Sequence, residues 1–199
     1  MGHRFAELAF TPKVKAFQEA LGSRRGYARR ESGADSNGVL GPREAAFVAE
    51  RDSFYLASVS ETGWPYVQHR GGPPGFVRVL DERTLGFADF AGNRQYVSVG
   101  NLSGDDRVSL FFMDYPNRTR LKLLGRARRI ELGEPQLEQL ALPGYEAAVE
   151  RGFLIRVEAF DWNCPRHITP RFTLAEVEAA TAPLRQRIAE LEAKLGVPA

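Results

Sequence analysis

The sequence predicts a mainly β fold, in which six or seven antiparallel strands form a small barrel with helices at its periphery. Short segments rich in apolar and β-branched residues recur from residue 54 onward, and turns containing Gly, Asp or Pro separate them. Because these turns are short, neighbouring strands must run antiparallel, and six or seven such strands favour closure into a barrel. A chain of 199 residues is long enough to form one domain with a sizeable core.

Helices are predicted ahead of the strands. Over residues 11–22, apolar side chains recur at helical spacing after a Thr-Pro pair that can cap the helix. Residues 22–41 are rich in Gly, Ser, Asp and Arg, a composition typical of an exposed connector. A Gly-Pro pair then announces a second helix, which we expect to end near Asp52.

Three strand-turn-strand units follow, and a final strand comes after them. Residues 134–150, which contain two prolines and a glycine, suggest one or two short helices before that last strand. The predicted strands are 54–60, 64–70, 76–80, 84–88, 107–113, 119–130 and 153–160.

The chain ends in a predicted long helix over residues 174–195. Leu184, Ile188, Leu191 and Leu195 follow the alternating three-and-four spacing of an apolar seam. Such a seam most often packs onto the barrel of its own chain, and the alternative is pairing with a second subunit. The predicted organisation is a helical extension and connector over 1–43, a barrel domain over 44–165 and a C-terminal helix over 166–199, all within one structural domain.

Composition excludes several classes of function. The 27 basic and 25 acidic residues nearly balance, so the chain as a whole does not indicate a nucleic-acid partner. The single cysteine, Cys164, excludes an intrachain disulfide and fits a reducing compartment. No segment resembles a secretory signal or approaches the roughly 18 apolar residues of a membrane span. We therefore predict a cytoplasmic protein that does not bind membranes.

Familiar catalytic motifs are missing from the sequence. Its three histidines form no H-E-x-x-H pattern and there is no cysteine cluster, which argues against a dedicated metal site. There is also no Walker loop and no G-x-S-x-G elbow. No residue can be assigned a catalytic role, so a bound organic cofactor would have to supply any reactivity.

The most informative segment is 87–96, in which a strand feeds a polar turn that opens a helix. Gly92 lets the backbone approach a ligand closely, and Asn93 is a good N-cap residue. If a helix begins near Arg94, its free N–H groups and the arginine guanidinium would together face a phosphate. A capped helix with a solvated arginine would explain the same residues.

Two further segments carry candidate binding residues. In the strand Gln68-His69-Arg70, successive side chains point to opposite faces, so only one of His69 and Arg70 should face a ligand unless a bulge intervenes. The segment Trp162-Asn163-Cys164-Pro165 follows the last strand, a place where loops often carry function. Cys164 by itself is more often a packed thiol than a nucleophile.

The order of these segments resembles the pyridoxamine 5'-phosphate oxidase-like flavoproteins. The resemblance covers roughly residues 44–165, includes the basic strand from Arg120 to Arg129, and is strongest in Asn93-Arg94-Gln95 and in the strand beginning Arg107-Val108-Ser109. It implies an FMN-binding split β-barrel, usually a homodimer with FMN at the subunit interface. Authentic pyridoxamine phosphate oxidases end in a basic substrate-binding motif that this chain lacks, so we do not expect vitamin B6 oxidation.

The resemblance also implies which residues contact FMN. Gln68, His69, Arg70 and Gly71 would line the flavin from the second strand, and Phe87 and Ala88 from the fourth. Asn93, Arg94 and Gln95 would hold the phosphate. Arg120 stands where the family often has a glutamine, and Trp162, Asn163, Cys164 and Pro165 would reach the flavin of the partner subunit.

Two functions follow as expectations. The first is an FMN-dependent oxidoreductase that moves hydride or electrons from a reduced donor to a small acceptor. The second is a non-catalytic protein that holds flavin, deazaflavin or haem on the same barrel, with His69 or His167 as the candidate haem ligand. The sequence identifies neither the substrate nor the electron donor.

Overall fold

A computed structural model of the protein describes residues 3–32, 37–162 and 165–195. Two compact units emerge, Met1–Met113 with Arg120–Cys164, and Asp114–Thr119 with Pro165–Ala199. The helices that precede the sheet are α1 (Arg4–Ala9), α2 (Pro12–Ala20), α3 (Arg24–Glu31) and α4 (Pro42–Ala49). The elements that follow are β1 (Ser53–Val59), β2 (Pro65–Gly71), β3 (Val77–Asp81), β4 (Thr84–Phe90), α5 (Val97–Gly104), β5 (Arg107–Asp114), β6 (Thr119–Ile130), α6 (Pro135–Glu138), β7 (Val149–Trp162) and α7 (Leu174–Leu195).

The helices before the sheet confirm part of the prediction and correct part of it. Helix α2 is capped as expected, since the Val14 N–H donates to Thr11 Oγ1 over 3.4 Å. The predicted connector over 22–41 is wrong for most of its first half, because α3 forms there. Arg24 in its first turn pairs with Glu31 in its last and donates to Gln18 Oε1 over 2.8 Å. The first contact joins the two ends of α3 and the second fastens α3 to α2, which together stabilise a polar, glycine-containing segment as a helix.

The seven strands form one antiparallel sheet in the order β2-β1-β5-β6-β7-β4-β3. All seven predicted strands are confirmed, with ends that differ by a few residues. The hairpins β1–β2 and β3–β4 are local, whereas β4 pairs along its length with β7, which comes about 65 residues later in the chain. The sheet is therefore assembled from short-range hairpins joined by long-range pairings.

Phenylalanine contacts show that this sheet curls back on itself. The rings of Phe54 in β1 and Phe87 in β4 lie 5.2 Å apart, although three strands separate β1 from β4 in the sheet. Phe54 also stacks on Phe112 at 4.9 Å and lies 5.9 Å from Phe76. A flat sheet could not bring β1 and β4 together, so the strands enclose a common apolar core, as predicted for the split barrel.

Gly125 marks a close approach of two strand backbones within the sheet. A Cβ at this position would lie 2.7 Å from the carbonyl oxygen of Arg156 on the neighbouring strand. The β6–β7 register shifts between Leu124 and Gly125, which identifies a bulge there. The glycine therefore lets two backbones approach closely where the sheet bends.

The second unit contains the long helix α7, with bounds that match the predicted 174–195. A capping box begins it. Thr173 Oγ1 accepts from the Glu176 N–H over 3.2 Å, and the Glu176 carboxylate accepts from the Thr173 N–H over 2.7 Å. None of the described α7 side chains is buried. Within the described residues, no helix has the length and apolar character needed to cross a membrane.

Candidate functional site

A small pocket opens where β2, β4, the loop before α5 and the start of β7 meet in the first unit. Its volume is about 170 Å³, and charged side chains dominate its walls. Its lining comprises Gln68, Arg70, Asp89, Phe90, Gly92, Asn93, Arg94, Tyr96, Ser98, Val99, Glu150 and Arg151.

A buried carboxylate, Asp89, organises the floor of this pocket. It is 5 % exposed and lies between two guanidinium groups. Arg70 binds its Oδ1 atom, and Arg151 Nη1 donates to its Oδ2 atom over 3.0 Å. The sheet register brings Arg151 to this place, because Asp89 in β4 is directly opposite Arg151 in β7. Each oxygen of the buried carboxylate thus has its own cationic partner.

The Arg70–Asp89 pair also joins the two ends of the sheet. Arg70 lies on β2, the first strand in the sheet order, and Asp89 lies on β4, the last strand but one. The Arg70 Nε atom is buried and has no hydrogen-bond partner among the described residues. A donor in that position is available to an anionic or polar group that enters the pocket.

Arg94 lies at the mouth of the pocket, where the side chain of Tyr96 holds it. Its Nε atom donates to Tyr96 Oη over 3.0 Å, and that hydroxyl donates to Glu150 Oε1 over 3.1 Å. The hydrogen bond to Tyr96 raises the pKa of Arg94 above its already high ordinary value. In the part of the chain that the structure describes, no carboxylate lies within 4 Å of the Arg94 guanidinium.

Arg151 connects the two halves of the site. It pairs with Glu150 over 3.0 Å, and its guanidinium lies 5.0 Å from the centre of the Tyr96 ring. Burial opposes its charge, but the hydrogen bond and attraction from Asp89 outweigh burial and raise the pKa of Arg151. Three guanidinium groups therefore meet two carboxylates, and the pocket carries one excess positive charge at neutral pH.

The helix at this site begins later than the sequence predicts. Asn93 is not its N-cap, since the Asn93 Oδ1 atom accepts from the Gln95 N–H over 3.2 Å within the loop. Arg94 and Tyr96 both adopt left-handed backbone conformations, with φ of 57° and 55°. Two such residues cannot continue a right-handed helix, so α5 starts at Val97. Its first turn nevertheless lines the pocket, as the predicted anion site requires.

Of the predicted contact residues, Gln68, Arg70, Asn93 and Arg94 come together in this pocket. Gln68 is fixed by a hydrogen bond of 2.7 Å from the Ser98 hydroxyl, which ties β2 to the first turn of α5. The structure thus gathers residues from two of the three segments singled out in the sequence. Their predicted contact with FMN stays a prediction.

Other residues predicted to contact FMN lie outside the pocket. His69 is on the opposite face of β2 from Arg70, with its ring 5.7 Å from Tyr55, so the expectation that only one of the pair faces the site is confirmed. Gly71 ends β2 opposite Ser53, and Gln95 is exposed beside the pocket. Phe87 is buried in the core, and the buried Ala88 faces a separate apolar cavity of about 250 Å³.

The predictions from the later strands fall elsewhere in the chain. Arg120 lies on β6 with its guanidinium 5.8 Å from the Phe111 ring. Trp162 donates to Glu44 Oε1 over 2.7 Å and packs edge-on against Phe47. Pro165 is exposed in the second unit, as is the candidate haem ligand His167. Asn163 and Cys164 lie outside the described residues.

Besides Ser98 in the first turn of α5, four charged or polar side chains of the pocket were missed by sequence reasoning. They are Asp89, Tyr96, Glu150 and Arg151. Asp89 gave one usable signal, because a carboxylate within the apolar run of β4 must find cations when it is buried. The other three are brought to the site by the β4–β7 register and by the left-handed turn, which the sequence does not reveal.

Comparison with protein families fits this architecture. The model of the pyridoxamine 5'-phosphate oxidase family matches residues 40–158, which is more than half of the chain. The chain belongs to this family. Within this family member, the match spans β1 to β6, most of β7 and all the residues that line the pocket. No curated protein matches the chain.

One solved structure adds support for the fold, and two others are similar at a lower level. A candidate pyridoxamine 5'-phosphate oxidase from Lactobacillus delbrueckii is 21 % identical with a TM-score of 0.50, and the alignment covers 63 % of this family member and 96 % of that chain. HupZ of Group A Streptococcus is 14 % identical, with a TM-score of 0.48 and coverage of 67 % and 100 %. An FMN-binding protein of Syntrophomonas wolfei is 10 % identical, with a TM-score of 0.47 and coverage of 60 % and 83 %.

Proposed function

We propose that this protein binds FMN through the pocket around Arg94 and acts as an FMN-dependent oxidoreductase. The observation that carries the proposal is the Arg94 guanidinium, which lies at the mouth of a cationic pocket with a phenol as its partner. Membership of a family named for an oxidase supports the same chemistry. When bound, FMN would take hydride or electrons from a reduced donor and pass them to a small acceptor.

The residues of the pocket fit the phosphate end of FMN. Arg94 has donors left for an anion, and the buried Arg70 Nε atom has no partner among the described residues. The first turn of α5 adds the positive end of a helix dipole. A dianionic phosphate would thus meet guanidinium groups and free backbone N–H groups, the combination that such groups prefer.

The size of the pocket indicates where the flavin ring would lie. At about 170 Å³ it is smaller than the roughly 300–1,000 Å³ of sites that enclose a whole ligand of drug size. The phosphate would fit, whereas the ring would extend beyond this pocket. We propose that a second copy of the chain covers the ring, so that FMN is bound at the interface of a homodimer.

The outward face of the β2-β1-β5 end of the sheet is the surface we propose for that contact. Tyr55, Val59 and Val67 are between 37 % and 59 % exposed there. Sedimentation velocity at micromolar concentration should show a dimer, and the charged substitution Val67→Glu should weaken its association. A monomer for the unsubstituted protein would contradict the interface.

The decisive prediction concerns Arg94. The fluorescence of FMN should be quenched when the protein binds it, and the Arg94→Ala variant should bind FMN about tenfold more weakly or worse, because charge-assisted hydrogen bonds to the phosphate are lost. The backbone at position 94 is left-handed, and neither Arg nor Ala is glycine. The substitution therefore leaves the backbone strain at this position unchanged. Arg129→Ala is the control, since Arg129 is a half-exposed arginine of β6 paired with Glu131.

Two results would count against the proposal. If the purified protein is colourless and does not bind added FMN, the proposal of FMN binding is wrong. Equal losses in Arg94→Ala and Arg129→Ala would reject the pocket as its site. Steady-state oxidation of reduced nicotinamide with a panel of acceptors then separates an oxidoreductase from a flavin carrier, because a carrier would bind FMN without turnover.

A further inference from the structure

The long helix α7 has an unbroken heptad pattern along one face. The intervals between its seam residues alternate between three and four without a break through the whole helix. None of these side chains is buried, and Ile188, Leu184 and Leu195 are 54 %, 65 % and 77 % exposed. In order, the seam comprises Leu174, Val177, Thr181, Leu184, Ile188, Leu191 and Leu195.

The residue types along this seam select a particular partner. If Leu174 is assigned to heptad position a, the central a positions hold the β-branched residues Thr181 and Ile188. Leucine then occupies the central d positions, Leu184 and Leu191. β-Branched residues at a combined with leucine at d favour parallel coiled coils of two strands.

Charges beside the seam agree with a parallel pair. In this register Arg187 is at a g position and Glu192 is at the e position of the following heptad. Parallel helices place g of one chain next to that e position of the other, so two symmetric Arg187–Glu192 contacts would form. Arg187 currently bonds Glu190 of its own helix over 3.0 Å, and both side chains are about half exposed.

The one residue that disfavours a helix is placed where it does not obstruct the seam. Pro183 lies inside α7 and lacks the N–H that would continue the hydrogen-bond ladder. It occupies heptad position c, which is on the far side of the helix from a and d. A second helix could therefore pack along the apolar face without contacting the proline ring.

We infer that α7 pairs with the same helix of a second copy of this chain to form a parallel, in-register, two-stranded coiled coil. The partner is a second copy because the seam and the charges at 187 and 192 complement themselves under two-fold symmetry. This surface is separate from the FMN pocket, and the inference does not depend on FMN binding.

Disulfide cross-linking tests the inference directly. In a parallel in-register pair, each d residue lies next to its own copy, so Leu191→Cys in a Cys164→Ser background should form covalent dimers under mild oxidation. Ala193→Cys in the same background is the matched control, because position 193 is an outward f position two residues away. We expect the Leu191→Cys variant to cross-link at least about tenfold faster.

Each other outcome overturns the inference. Equal cross-linking rates for Leu191→Cys and Ala193→Cys would show that the disulfides form through chance collisions. An absence of cross-linking at position 191 would show that α7 packs antiparallel or against its own chain. Both positions are on an exposed helix, and circular dichroism would verify that the variants remain folded. FMN retention should be measured on the same samples. Because cross-linking requires no FMN, a failure of the cofactor proposal can then be told apart from a failure of the coiled-coil inference.

Discussion

Replacing Asp89 with Asn should lower the free energy of unfolding by about 3 kcal/mol or more. The substitution keeps the size of the side chain and removes its charge, which leaves Arg70 and Arg151 without their shared counterion. Both arginine side chains are largely buried, at 13 % and 15 % exposed, so water cannot readily replace the carboxylate. Urea denaturation followed by tryptophan fluorescence measures the change in the free energy of unfolding. The dependence of that free energy on urea concentration should be the same for the variant and the unsubstituted protein.

Asp105→Asn provides the control for this prediction. Asp105 also pairs with an arginine, Arg107, which holds the pKa of its carboxyl down at about 2. Arg107 is 72 % exposed, so water can solvate it once the carboxylate is gone. We expect a change too small to separate from the unsubstituted protein. If Asp89→Asn proved equally mild, the buried carboxylate would not be organising the pocket.

Truncating Phe54 to Ala should lower the free energy of unfolding by about 3–5 kcal/mol. Phe54 is 1 % exposed and its ring meets three other phenylalanines, including Phe87 from across the barrel. The variant would leave a cavity at the centre of the core, where β1 and β4 face each other. Thermal and urea denaturation should both report the loss.

The same substitution at Phe17 is the matched comparison. Phe17 lies on α2 and is 69 % exposed, so Phe17→Ala removes the same atoms from a place where little packing is lost. We expect a change within about 0.5 kcal/mol. A small effect at Phe54 would mean that the two sides of the barrel do not share one core, and the curled architecture would have to be revised.

Local patterns account for what could be predicted from the sequence. Strand alternation and short turns are properties of a few neighbouring residues, and they located all seven strands. The seam of α7 is equally local, and both ends of that helix were predicted correctly. Gln68 and Arg70 were named because the family resemblance implies them, and Asn93 and Arg94 because a polar turn that opens a helix is typical of an anion site.

The missed features depend on contacts between distant parts of the chain. Arg151 reaches Asp89 through strand register, and the two residues are 62 positions apart. Helix α3 is stabilised by side chains of α2 that its own composition does not indicate. The start of α5 was misplaced because Tyr96 adopts a left-handed conformation in which its hydroxyl reaches Glu150 on another strand.

The position of β7 in the sheet has a consequence for biosynthesis. This last strand is inserted between β6 and β4, and it carries Glu150 and Arg151 into the pocket. A nascent chain that has not yet released β7 from the ribosome therefore exposes the edges of both neighbours and lacks Arg151, one of the two cations that bind Asp89. Strand pairing this distant in sequence is slow relative to hairpin formation. The anion pocket is consequently complete only after residue 151 has emerged and β7 has paired with β4.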